Sequence, residues 1–160
     1  MEDGDYLTIN GNKQTHSKIK FLGNLMQPFV DSYFIACCLV HTLMEKGLVI
    51  DQERLVSELH LGIQEIYHEG GIKHLSSCIL DYVNTAFGRL VELQVCSSQA
   101  YETRDGQLNF LSCPATNRPV VERYLQTLSQ LSSSDEQGFK IIQGEVAKVI
   151  LRAQGPLARL

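Results

Sequence analysis

Five histidines and five cysteines are the side chains of this sequence best suited to act as bases, nucleophiles or soft metal ligands. His60, His68 and His74 fall around a turn near Gly70, with Glu69 among them. A zinc site needs three convergent ligands, and a helical pair needs His-x-x-x-His spacing. No two histidines have that spacing; His16 and His41 stand apart from the other three. The histidines therefore read as structural. Cys37 and Cys38 are adjacent, no cysteines form Cys-x-x-Cys, and the total is odd. This pattern fits reduced thiols packed as small hydrophobes better than a disulfide framework or a metal site. Glu69-Gly70-Gly71 suits the end of a helix better than a phosphate cradle. Nucleophile elbow, Walker loop and dinucleotide fingerprint are all absent from the sequence. No catalytic residue, metal ligand or resident cofactor is assigned.

The elements around these residues follow from composition and pattern. A chain of 160 residues suits one domain, and 44% apolar with 20% charged residues argues for a packed core rather than disorder. The net charge of -4 and the lack of a basic stripe argue against a nucleic-acid partner. Met1 to Asp5 is acidic and polar, without the basic and apolar regions of a secretory signal. The longest apolar run, Tyr33 to Val40, is far below the ~20 residues of a membrane span, so the expectation is a soluble or peripheral protein.

Residues 1–17 are expected to form a flexible arm, 18–152 a helical domain, and 153–160 an extended tail. The fold class expected is mostly α, a helical domain with one small β-hairpin. Ile19, Leu22, Leu25, Met26, Phe29, Tyr33, Cys37, Val40 and Met44 recur at helical spacing. They predict an inward stripe kinked at Pro28, or a helix starting there. Gly47 ends it. Asp51 should cap a second helix whose Leu55, Leu59, Ile63 and Ile66 share a face. A third should run from His74 to Phe87 with Leu75, Cys78, Ile79, Tyr82 and Val83 inward, closed by Gly88. Val91, Leu93 and Val95 alternate with polar residues, predicting a strand; Asp105-Gly106 then signals a hairpin into Leu108 to Cys113. Thr116-Asn117 should cap a helix with Pro119 in its first turn. Ser132 to Glu136 reads as a solvated connector before a last helix, Phe139 to Arg152.

Phe21-Leu22-Gly23-Asn24-Leu25-Met26-Gln27-Pro28-Phe29-Val30-Asp31-Ser32-Tyr33, continuing to Ala36 and Leu39-Val40-His41, resembles the post-catalytic helical region of the glycerol-3-phosphate and dihydroxyacetone-phosphate acyltransferases. The resemblance implies a membrane-associated parent enzyme that moves a fatty acyl group from an acyl-CoA substrate to the first hydroxyl of the acceptor. It also implies an upstream catalytic domain as partner, with the membrane surface reached through the parent protein. In that family a His-x-x-x-x-Asp block supplies the base and the carboxylate that orients it. Five residues beyond His16, His41, His60, His68 and His74 stand Phe21, Lys46, Glu65, Lys73 and Ile79, so no catalytic residue carries over. The Phe-Pro-Glu-Gly block is absent too.

Ala158-Arg159-Leu160 fits the small-basic-leucine pattern of a peroxisomal address and would engage the peroxisomal import receptor. Within the resembled family this favours the peroxisomal dihydroxyacetone-phosphate branch, which begins ether-lipid synthesis. A mitochondrial outer membrane or endoplasmic-reticulum branch is the alternative location. The competing class is a non-enzymatic helical interaction module, an adaptor, supported by the apolar helix around Tyr33 to Val40.

Overall fold

The computed structural model describes residues 13–103 and 106–154. Along the chain run α1 (Lys13–Lys46), β1 (Val49–Asp51), α2 (Gln52–His68), α3 (Leu80–Glu92), β2 (Ser97–Thr103), β3 (Gly106–Ser112), α4 (Arg118–Leu131) and α5 (Glu136–Gln154). Single 3-10 turns at Leu75–Cys78 and Ala115–Asn117 precede α3 and α4. The fold is mostly helical, as the periodicity implies. α1 is the axis: α3, α4 and α5 pack on it, and α2 lies against α5.

The second half of α1 is the core. From Phe34 to Val40 every side chain is buried, and Leu43 and Met44 follow. A helix apolar nearly all round must be covered on every side, and three neighbouring helices do so. Gly47 ends it at φ +60, a left-handed turn that a Cβ would strain.

The first half of α1 departs from expectation. The helix does not start at Pro28 but runs through it from Lys13, so residues 13–17 of the expected arm are helical. Pro28 lacks the N–H that would bond the Asn24 carbonyl, but Asn24 is exposed and water can serve it. Residues 1–12 of the expected arm lie outside the described residues. Ile19, Leu22, Leu25 and Met26 have the right spacing for an inward stripe, yet among the described residues no element covers them and all four are exposed. Phe29 and Tyr33 are only half-buried.

α2 begins as expected: Asp51 is extended (φ -61, ψ 121) and its carboxylate accepts from the Arg54 N–H at 2.7 Å. Leu55, Leu59, Ile63 and Ile66 are buried on one face. The third helix is shifted. Leu75–Cys78 makes only a 3-10 turn, α3 starts at Leu80, and Gly88 does not stop it. Leu75 and Ile79, expected inward, are exposed; Cys78, Val83 and Phe87 are buried.

The expected strand at Val91 to Val95 is not one. Val91 and Glu92 finish α3, and Gln94 turns the chain at φ 57. The alternating apolar residues serve a helix end and a turn instead. The polar stretch that follows is itself the first hairpin strand, Ser97–Thr103, paired antiparallel with Gly106–Ser112 in the register Ser97↔Ser112 to Thr103↔Gly106. Residues 104–105 between them lie outside the described residues. A third strand, Val49–Asp51, adds to the far edge of β3, giving the order β1-β3-β2. Three residues are too few to show a period of two, so the sequence pattern predicts a hairpin and not this sheet.

α5 starts at Glu136 and continues to Gln154, so Ala153 and Gln154 of the expected tail are helical. Residues 155–160 lie outside the described residues.

Phe34 is 1% exposed and stacks on Phe139 at a ring separation of 5.9 Å. Phe34→Ala is expected to cost about 3–5 kcal/mol, as truncation of a buried ring does. Leu22→Ala, in the uncovered half of the same helix, should cost under about 0.5 kcal/mol. Urea midpoints of the two variants against the parent measure the contrast.

Candidate functional site

The most heavily bonded polar side chain of the interior is Asp31, fully buried on α1. A carboxylate removed from water must recover its lost hydration from donors. Four hydrogen bonds do so. The Ser133 N–H donates to Oδ1 and the Ser133 hydroxyl to Oδ2, both at 2.7 Å. The Ser77 hydroxyl donates to Oδ2 and the Gln27 amide to Oδ1, both at 3.3 Å.

The neighbours extend the network. Gln27 also donates to the Leu131 carbonyl at 2.8 Å, and the Ser133 hydroxyl accepts from the Lys73 N–H at 3.1 Å. The Ser32 hydroxyl reaches the carbonyls of Pro28 at 2.8 Å and Ser77 at 3.2 Å. One turn of α1 thus fastens the 73–78 turn and the 131–133 turn. Within the segment that reads from sequence as a solvated connector, Ser133 is therefore bonded to the interior, while Asp135 and Glu136 are exposed.

The same region carries the closest backbone approach. A Cβ on Gly138 would stand 2.7 Å from the Gly71 carbonyl oxygen, so only glycine lets α5 start there. Asp135 caps that start by accepting from the Gly138 N–H at 2.9 Å, and this bond lowers its pKa. An open cleft of about 440 Å³ lies alongside, floored by Phe34, Leu125 and Phe139 and rimmed by Ser132, Ser134 and Glu136.

A second cluster has the residue types of nucleophilic catalysis. His41 lies 3.9 Å from Glu45 and 3.7 Å from Glu122, and it shares a cleft of about 230 Å³ with Cys38. A thiol, an imidazole and a carboxylate can form a relay only if the thiol ionises. Burial pushes the Cys38 thiol far up, with Cys37 adding to the effect, and Cys37 itself is pushed up to about 12. Both Glu45 and Glu122 are engaged by Arg118, at 3.0 and 2.9 Å. The cluster is an ion-pair seam between α1 and α4.

The other histidines do not converge. His60 meets Gln64 at 3.5 Å, His68 lies edge-on to Tyr67, and His16 is exposed. Among the described residues no group of three or more His, Cys, Asp or Glu side chains could hold a metal ion. Cys96 and Cys113 sit 3.5 Å apart at the base of the hairpin. Their hydrogen bond raises the Cys96 pKa and lowers that of Cys113. All five cysteines are buried and free. Glu145 is buried on α5, bonded to Lys148 and 3.9 Å from Arg152, which reaches Glu58 of α2 at 2.9 Å. The tail residues Ala158, Arg159 and Leu160 lie outside the described residues.

Asp31, Ser77, Ser133 and Glu145 carry no functional motif in the sequence. Aspartate on an otherwise apolar helix face was the available signal for Asp31. The serines have none, because their partners are remote in sequence.

Fold and site together define a small α-helical domain that is fastened by an internal carboxylate and whose described residues assemble no catalytic relay. The family model described as the glycerol-3-phosphate acyltransferase C-terminal region matches residues 1–99, and the chain belongs to that family. The match runs from the start of the chain through α1, α2 and α3 into β2. No curated protein and no solved structure matches the chain.

Asp31→Asn keeps the size of the side chain but replaces an acceptor oxygen with a donor that faces donors. Unmaking buried bonds of this kind costs about 1–3 kcal/mol. The variant should unfold at correspondingly lower urea than the parent, whereas Glu136→Gln, at an exposed position, should not.

Proposed function

We propose that the chain is the non-catalytic C-terminal part of an acyltransferase that moves a fatty acyl group from acyl-CoA to dihydroxyacetone phosphate or glycerol 3-phosphate. The observation that carries this is the family match over residues 1–99, which contains the Phe21 to His41 segment of the resemblance. The reading is further supported by what that segment becomes. It forms most of α1, on which α3, α4 and α5 pack, so the likeness falls on the element that organises the domain. The partners are then an upstream catalytic domain and, through the parent protein, a membrane surface; acyl-CoA is the parent's substrate.

Without a His-x-x-x-x-Asp block the acceptor hydroxyl has no positioned base. The purified chain is expected to transfer no acyl group from acyl-CoA to either acceptor. The transcript read upstream of Met1 should encode that block in frame. Transfer by the chain alone would overturn the non-catalytic assignment. A stop codon directly upstream would favour the adaptor reading.

The peroxisomal dihydroxyacetone-phosphate branch of ether-lipid synthesis is the favoured one, on Ala158-Arg159-Leu160. The import receptor would read the Leu160 side chain in an apolar pocket, with Arg159 and a free carboxylate making charge-assisted hydrogen bonds. The residue types Gly155-Pro156 support this, because proline lacks the N–H that a continuing helix needs. A fluorescent protein ending in residues 154–160 should appear in peroxisomes, and deletion of Leu160 should leave it in the cytosol. Diffuse signal from the intact tail would remove this branch and leave the mitochondrial or endoplasmic-reticulum alternative.

A further inference from the structure

The first half of α1 extends past the body of the domain. Every residue from His16 to Met26 is exposed, and contact with the body begins at Gln27 and Pro28. Residues 13–26 add about 20 Å of helix beyond that point. Ile19 (39%), Phe21 (62%), Leu22 (59%), Leu25 (54%) and Met26 (58%) are the large apolar side chains left in water. On a helix of 3.6 residues per turn these five fall within an arc of about 160°, with Lys20 and Asn24 on the opposite side. A free helix of this length is marginal in water, and its apolar face requires a cover.

The charge on this segment selects the cover. Lys13, Lys18 and Lys20 precede Asp31 with no Asp or Glu between, although the chain as a whole is acidic. A second copy of the same helix, paired in parallel, would bring Lys18 to Lys18 in the middle of an apolar seam. An apolar arc backed by lysines instead matches a helix lying in the plane of an anionic bilayer surface. Lys18, within the apolar arc, can lay its stem along the surface and reach phosphate with its ammonium. The helix does not cross: among the described residues none is long and apolar enough to span a membrane.

We infer that residues 16–26 of α1 are a lipid-contacting element through which this chain itself docks on an anionic membrane surface, with Phe21, Leu22 and Leu25 entering the acyl boundary. The inference stands on exposure and charge alone, so it survives or fails separately from the acyltransferase assignment.

The chain has no tryptophan, so Phe21→Trp gives a fluorophore that reports this position only. On addition of phosphatidylcholine vesicles containing phosphatidylserine its emission should move to the blue, and the chain should sediment with the vesicles. Phosphatidylcholine alone should do neither. Added in the same background, Leu22→Glu with Leu25→Glu should abolish both effects. Lys18→Glu with Lys20→Glu should weaken binding at least about tenfold. All four positions are exposed, so unchanged urea midpoints will show that the variants fold. The proposal is overturned by no shift with anionic vesicles, by equal binding to neutral ones, or by binding that survives Leu22→Glu with Leu25→Glu. A blue shift that rises with protein concentration in the absence of lipid, together with a dimer in sedimentation velocity, would assign the face to a second copy instead.

Discussion

The Asp31 carboxylate is the constraint around which the helices are arranged. A fully buried carboxyl group is costly, and it persists only where donors are fixed in place. Its donors come from α1 itself, the turn before α3 and the turn before α5, segments brought together only when the domain is complete. Apolar burial drives those helices together without direction. The carboxylate adds direction, because its four hydrogen bonds tolerate little displacement. The positions of the 73–78 and 131–133 turns on α1 follow from it.

This coupling joins the matched and unmatched portions of the sequence. Asp31 and Ser77 fall within residues 1–99, whereas Ser133 does not. α4 and α5 cover α1, and α5 also covers α2, so the family match stops inside a single packed body. The ion-pair seams repeat the arrangement at the surface: Arg118 of α4 holds Glu45 of α1, and Arg152 of α5 holds Glu58 of α2. Pairs this exposed contribute little energy, and their part is alignment.

Much of the fold is legible in the sequence where a local rule governs it. Asp51 as a cap, Gly47 as a terminator and the Leu55, Leu59, Ile63, Ile66 face depend on neighbours within a turn or two, and they are found as read. The failures have one physical source, which is that periodicity reports amphipathicity and not what covers it. Ile19 to Met26 continue the stripe of the core helix but extend past every neighbour. Val91 to Val95 alternate, yet a helix end and a turn bury Val95 while leaving Leu93 out. β1 is recruited by β3 rather than by its own pattern. The polar node was the least legible part, since each serine gains its meaning from an aspartate many residues away.

That separation also has a kinetic side. Asp31 and Ser133 are 102 residues apart, so α1 leaves the ribosome long before its carboxylate can meet its principal donor. At roughly 5–20 residues per second, the delay is on the order of 5–20 s. Throughout it the helix that carries the core run Phe34 to Val40 has no final cover, and contacts so distant in sequence form slowly even when all the chain is present. Nascent α1 therefore stays uncovered on at least one side until the 131–133 turn has closed onto Asp31 and α5, still to follow in the chain, has packed against it.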